Sequence, residues 1–259
     1  MMRKILAVLA ALMLLAVSAA ADGDLLSEIQ ERGTLIVATE GCWSPWTYHD
    51  ENDQLTGFDI EIAMLIAKEL GVEADIQEVP WESILAGVET GRFDIACNGV
   101  GYTEERAQKF TFSTPYVYTE AVLVVRGDNE DIHTLDDLKG KKTSNSPNST
   151  YADKAISYGA SVEYVDTIGE TMMMVENGRV DATINAKGSV DDYLREHPDA
   201  NIKVVQVFAG EPVCFPVLKG ENTETLIAKV NEILEKARQD GTLAALSIKY
   251  FGVDLTQPQ

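Results

Sequence analysis

The chain has 259 residues, with 21 Lys and Arg against 42 Asp and Glu, a formal charge of −21 at pH 7. Such an excess of negative charge repels nucleic-acid phosphates and anionic lipid surfaces, and excludes nucleic-acid binding. With 45% apolar residues spread at regular periods, the chain is not disordered, and its length suits one large domain or two smaller lobes.

Arg3 and Lys4 precede an apolar run from Ile5 to Val17, and Ser18-Ala19-Ala20-Ala21 follows. This order is that of a secretory signal peptide over 1–21, cleaved near residues 19–21. The 13 apolar residues fall short of a bilayer, which needs about 20. No Cys marks the cleavage site for lipid attachment, and no later segment is apolar enough to insert in a membrane. Cleavage leaves 19 basic against 42 acidic side chains, net −23. The mature product is expected to be exported, soluble and monomeric.

Thr34 to Thr39 is a short β-branched run after Gly33 and predicts a buried strand. Phe58, Ile62, Leu65, Ile66 and Leu70 recur at helical spacing, with Gly71 as the stop. Val72 to Val79 is the next strand, Trp81 to Val88 a second amphipathic helix, and Phe93 to Cys97 a strand again. Thr103-Glu104-Glu105-Arg106 predicts a further helix with a Thr N-cap. Strands alternating with helices point to the α/β class, each sheet mostly parallel and flanked by helices.

The segment Glu89-Thr90-Gly91-Arg92-Phe93-Asp94 up to Asn98 is echoed by Glu176-Asn177-Gly178-Arg179-Val180-Asp181 up to Asn185. Glu, Gly, Arg, Asp and Asn coincide at the same five offsets. Either two helix-to-strand turns share a common Gly stop by chance, or the chain holds two similar lobes. Ligands of open α/β sheets bind beyond the carboxyl ends of the strands, so facing lobes would put Asn98 and Asn185 across one cleft. Residues 22–119 and 212–259 are read as one lobe and 120–211 as the other. The helix lined by Leu226, Ile227, Val230, Ile233, Leu234 and Ala237 packs back on the first lobe. Two crossings between lobes make a hinge, and the molecule a clamp.

Cys42, Cys97 and Cys214 are too few for a disulfide scaffold. Cys42 and Cys97 each follow a strand and could pair, or all three could be small buried residues. His49, His133 and His197 have no metal-ligand spacing, so no metal or cofactor is expected.

Gly57-Phe58-Asp59-Ile60-Glu61-Ile62 resembles the signature of the bacterial extracellular solute-binding proteins, family 3, of the polar amino-acid type. These are periplasmic receptors of ATP-driven (ABC) importers. Thr39-Glu40 before Pro45-Trp46, Gly91-Arg92-Phe93-Asp94, Thr103 to Arg106, Phe112-Ser113-Thr114-Pro115-Tyr116 and Asp240-Gly241-Thr242-Leu243 agree in order, so the resemblance covers the whole mature chain. It implies a two-lobed periplasmic-binding-protein fold that closes on an amino acid and presents it to a membrane permease. By that resemblance Arg106 takes the ligand's α-carboxylate, which a guanidinium fork matches with two parallel hydrogen bonds. Asn98, Gly99 and Gly101 contact the ligand head, although many relatives carry a hydroxyl residue at the Gly101 position. Ser149 and Thr150 offer N–H and hydroxyl groups at a helix N-terminus, Asn185 closes from the second lobe, and Trp43 and Trp81 wall the side-chain pocket, with Trp46 nearby.

One departure stands out. The family's α-ammonium partner is usually an Asp in the second lobe, and Ala186 occupies that position. A desolvated ammonium without an anion is costly, so either Glu40 supplies the charge or the ligand is not an ordinary α-amino acid; Glu40 is preferred. Glu40-Gly41 and Thr143-Ser144-Asn145 are more similar to the cystine-binding branch than to the histidine or glutamine branches. Two rivals were weighed. An enzyme on the same scaffold, resembling cyclohexadienyl dehydratase, would need a positioned acid or base in the cleft, and no catalytic residue is expected. Gly99-Val100-Gly101-Tyr102-Thr103-Glu104 lacks the third Gly of a dinucleotide fingerprint and follows the wrong strand.

Overall fold

The computed structural model describes residues 23–258, so the leader read at 1–21 lies outside the described residues. In the first lobe, strand β1 (Thr34–Thr39) is the middle of a parallel sheet. It pairs along its length with β5 (Glu73–Glu78) and over two residues with β6 (Ile95–Ala96). The run Phe93–Cys97 thus yields a shorter strand than expected, although Asp94 N and Cys97 N still donate to Ile36 and Ala38 carbonyls. Helices α1 (Leu25–Arg32), α2 (Phe58–Leu70) and α3 (Trp81–Glu89) cover this sheet. A small antiparallel sheet of β2 (Cys42–Trp43), β3 (Thr47–His49) and β4 (Leu55–Thr56) stands beside it.

The entry to α2 explains part of the family-like signature in physical terms. Phe58 N and Asp59 N each donate at 3.0 Å, to the carbonyls of Pro45 and Trp46. Gly57 lies at φ 130°, and a Cβ there would be 2.3 Å from the Trp46 oxygen, so only glycine lets the two backbones meet. Phe58 enters the aromatic core beside Trp46, Tyr116 and Phe251.

Thr103 caps as expected, its hydroxyl accepting from Arg106 N at 3.1 Å. It opens only a 3-10 turn, Arg106–Gln108. The helix stops there because strand β7 (Phe110–Phe112) begins two residues on and pairs with β13 (Pro216–Leu218).

Two long strands join the lobes. β8 (Val117–Arg126) and β12 (Ile202–Val213) run antiparallel, Val117 facing Val213 at one end and Arg126 facing Ile202 at the other. Val117 and Val213 belong to the core of the first lobe. Further along β8 the apolar run divides with period two. Ala121, Leu123 and Val125 pack with Leu135, Leu138 and Ala155, while Val122 and Val124 pack with Met172, Val175 and Val190. A strand buried on both faces needs such an unbroken apolar run.

The second lobe is a five-stranded sheet in the order β10 (Ser161–Tyr164), β9 (Lys142–Asn145), β11 (Ala182–Ala186), β8, β12. Only β8 runs against its neighbours. Helices α4 (Thr150–Ser157), α5 (Ile168–Glu176) and α6 (Lys187–Glu196) flank it. The chain then returns: α7 (Glu224–Gln239) buries six apolar residues in the core that also holds Leu35 and Val37 of the first lobe, and α8 (Thr242–Phe251) follows. No helix among the described residues is long and apolar enough to cross a membrane.

The internal echo is structural. The Asp94 carboxylate accepts from Ile36 N at 2.7 Å near the start of β1, and the Asp181 carboxylate accepts from Lys142 N at 2.8 Å at the start of β9. Each aspartate's own N–H returns to the carbonyl of the same partner residue. In both lobes an Asp just ahead of one strand therefore fastens it near the start of its parallel neighbour. Asp94 is buried and also pairs with Arg32, whereas Asp181 is exposed. Asp94→Ala is expected to lose about 1–3 kcal/mol, because a buried N–H is left without a partner. Asp181→Ala should lose less than about 1 kcal/mol, since water can replace its carboxylate. Urea midpoints of the two variants check the difference.

Candidate ligand-binding cleft

Between the lobes lies a cleft of about 790 Å³ including its open mouth, and all ten residues named from sequence line it. Glu40, Trp43, Trp81, Asn98, Gly99, Gly101 and Arg106 come from the first lobe, and Ser149, Thr150 and Asn185 from the second. A volume of this order suits a small molecule.

Arg106 is held from two sides. Its Nη1 donates to Gly101 O at 2.9 Å, and its Nη2 donates across the cleft to Asn148 O at 2.9 Å. The guanidinium lies over the Trp81 ring, 5.4 Å from the centroid. Burial lowers its pKa, against Asp153, Glu211, Tyr151 and Glu105, which raise it. Among the described residues no carboxylate forms an ion pair with it. Of its five N–H groups, three are left over for a ligand.

Helix α4 starts opposite. Ser149 is its N-cap, with the hydroxyl oxygen accepting from Ala152 N at 3.1 Å. The first turn keeps N–H groups without helical partners, a setting that favours an anion. Trp81 Nε1 donates to Pro147 O at 2.9 Å, a second direct bond between the lobes. Asn148, at φ 58°, turns the strap between β9 and α4 so that consecutive carbonyls meet Trp81 and Arg106.

The other end of the cleft is acidic. Asn98 donates from Nδ2 to Glu40 Oε2 at 2.8 Å and accepts from Glu40 N at 2.8 Å, so its amide positions Glu40 and keeps its second N–H. Burial pushes the Glu40 carboxyl up; the Asn98 bond opposes this and Asp166 adds to it. Asn185 also turns inward, its Oδ1 accepting from Ala186 N at 2.9 Å. Ala186 is itself buried. Cys42 stands at the rim and its thiol is pushed up to about 11, by burial first and then by Glu40 and Glu78. All three cysteines are free; Cys97 and Cys214 are buried and Cys42 is exposed.

Trp43 and Trp46 stack with centroids 5.4 Å apart and form the aromatic wall. Trp46 is both core and cleft, being 1% exposed yet part of the lining. Gly99, at φ 58°, lies under these rings, where a Cβ would come 2.7 Å from Trp43. Its N–H donates at 2.6 Å to Asp59, which also accepts from the Tyr116 hydroxyl at 2.8 Å. Asp59 is fully buried, and burial pushes its carboxyl from 3.8 up to about 7, against those two hydrogen bonds.

Among the lining residues that the sequence reading does not assign to the site are Asn145, Tyr151, Asp166 and Glu211. Asn145 and Asp166 end or follow strands β9 and β10, where the strand-end rule would have placed them. Glu211 lies on β12, and no local pattern marks it.

Comparison with known proteins gives a consistent picture. The model for bacterial extracellular solute-binding proteins, family 3, matches residues 35–253. The chain is 37% identical over 236 residues to a probable amino-acid ABC transporter-binding protein of Haemophilus influenzae, covering 91% of each. It is 40% identical over 241 residues to an L-cystine-binding protein of Bacillus subtilis, covering 92% of this chain and 88% of that one. It is similar, with a TM-score of 0.61 and 37% identity, to the L-cystine solute receptor of Neisseria gonorrhoeae in an unliganded open conformation, covering 91% of this chain and all of that one.

The raised Asp59 pKa has a direction in stability. Between 3.8 and about 7 the folded chain holds a proton that the unfolded chain has released, so this group's contribution is full at low pH and is lost as pH rises through that window. Asp59→Asn should flatten that fall, read as the difference between wild-type and variant urea midpoints from pH 4 to 8. An unchanged pH slope would show that Asp59 is ionised throughout.

Proposed function

The chain belongs to the bacterial extracellular solute-binding proteins, family 3, and on that premise we propose that it captures a polar amino acid between its lobes for the permease of an ABC importer. L-Cystine is favoured, because relatives named as L-cystine-binding align over nearly the whole chain. The observation that carries the reading is Arg106: a partly buried guanidinium with no ion-pair partner among the described residues, facing a helix N-terminus across the cleft. That pair of donors suits one carboxylate. Glu40, Asp166 and Glu211 line the same cleft, and they supply negative charge for an ammonium that position 186 does not meet. Dicarboxylates are disfavoured by these three acids.

In this reading residues 1–21 are a cleaved leader, and the mature chain works as a soluble periplasmic monomer. Residues 22–119 with 212–259 form one lobe and 120–211 the other, the hinge lying in β8 and β12. The first lobe receives the ligand through Arg106, Gly99, Gly101 and the walls of Trp43 and Trp81, with Asn98 holding Glu40 in place. Closure adds Ser149, Thr150 and Asn185. A ligand shifts the open–closed balance only through contacts it gains on closing. The enzyme alternative, which needs a positioned acid or base in the cleft, is disfavoured because relatives that align over nearly the whole chain are named as transporter-binding and L-cystine-binding proteins.

A thermal-shift panel on ligand-stripped residues 22–259 tests the reading. It covers the twenty amino acids, L-cystine and dicarboxylates. A ligand at 100 times its Kd should add about 2.7 kcal/mol and raise Tm by about 5–10 °C. Arg106→Ala should keep the ligand-free Tm within a few degrees and lose that shift; a retained shift would remove Arg106 from the carboxylate. Trp81→Phe keeps an aromatic wall but not the bond to Pro147. It should enlarge the ligand-free radius of gyration in X-ray scattering and weaken binding about fivefold, the worth of one hydrogen bond. Equal radii and equal affinities would mean that this bond does not hold the lobes together.

A further inference from the structure

Gly101 brings no side chain and Ala186 no charge to the ligand head, and one residue accounts for both. We propose that Glu211, on the hinge strand β12, accepts the α-ammonium of the ligand whose carboxylate Arg106 holds. The inference rests on the amino-acid reading above and assigns a residue within it.

Glu211 is fixed beside Arg106 by backbone. The β8–β12 register shifts between Ala209 and Pro212, so Glu211 sits in an irregularity where the ladder is interrupted. Immediately after it the chain is fastened to the segment that carries Gly101. Tyr102 N donates to Pro212 O at 2.8 Å, Gly101 bridges Val213, and Cys214 N donates to Val100 O at 3.0 Å. Gly101 then lies between the two charges. Its carbonyl takes Arg106 Nη1, and a Cβ on it would stand 3.1 Å from Glu211 Cβ and 3.9 Å from Glu211 Oε2. A side chain at 101 would therefore crowd Glu211, so the missing side chain and the carboxylate above it belong together.

The other candidates are occupied or distant. In an α-amino acid the carboxylate and ammonium share one carbon, so the ammonium's acceptor must lie close to Arg106. Of the acids that act on Arg106, Asp153 and Glu105 are exposed and outside the cleft lining, and Glu211 lines it. Glu40 is bound by Asn98, and its charged neighbour is Asp166 rather than Arg106. Asn185 Oδ1 is turned to its own chain. The Glu211 carboxylate has no hydrogen bond or ion pair among the described residues, and it is partly buried. Glu40 and Asp166 are then left for groups farther along the ligand.

The test is calorimetric binding of L-cystine against its des-amino analogue 3,3′-dithiodipropionate, and of L-lysine against 6-aminohexanoate, to wild type, Glu211→Gln and Glu40→Gln. Wild type should prefer each bound amino acid over its analogue by about 100-fold. Glu211→Gln should cut that preference at least about tenfold by weakening the amino acid alone. A loss that falls equally on amino acid and analogue would make Glu211 merely structural and overturn the inference. So would an intact preference in Glu211→Gln, or a preference that collapses in Glu40→Gln instead. If wild type binds neither amino acid while the wider thermal panel is also silent, the amino-acid reading itself fails; wild-type binding with the preference untouched in Glu211→Gln sinks only the role of Glu211.

Discussion

A guanidinium drawn partly out of water, with no carboxylate among the described residues bonded to it, is the constraint around which this molecule is arranged. Arg106 has lost some hydration, and two backbone carbonyls make up part of that loss. One of the two belongs to its own lobe and the other to the facing lobe, so the charge is best satisfied only when the cleft is closed. The strap from Ser146 to Ser149, the N-terminus of α4 and the Trp81 ring are all built against that single group. An ion pair within the protein would satisfy the charge more fully and would leave less for a ligand to do.

The rest of the fold holds the walls of this site at fixed positions. Asp59 at the start of α2 reaches Gly99 just beyond β6, and Gly57 lets α2 begin hard against Trp46. The aromatic wall and the loop beneath it are thereby tied to one helix N-terminus. The buried acid is a cost of that tie, borne within a tightly packed core. Motion is left to β8 and β12, whose ends belong to different cores.

Elements were legible from sequence because their causes are local, and ten residues of the cleft through the family resemblance. The apolar period of α7 told where it packs, and the paired motifs around Asp94 and Asp181 left two related lobes open beside chance, a choice that the matching Asp-to-strand bonds decide. Long-range pairings were not legible. Asn98 lines the cleft as expected, but its bonds to Glu40, 58 residues upstream, are visible only in the fold. The helix expected after Thr103 is cut short by a strand whose partner lies more than a hundred residues on. Glu211 enters the cleft through an irregular register between two distant strands, and nothing in its neighbours announces that. The cysteine alternatives were likewise settled by depth: Cys97 is sealed in the core while Cys42 faces solvent.

The strap between β9 and α4 meets the first lobe through main-chain oxygens alone, those of Pro147 and Asn148. Carbonyls do not change when side chains do. Substitutions that preserve the strap's path can therefore alter which molecules fit the cleft while leaving the grip between the lobes as it was. Selectivity and the mechanics of closing can drift independently in such a chain, and a shift of cargo need not pass through a form that no longer shuts.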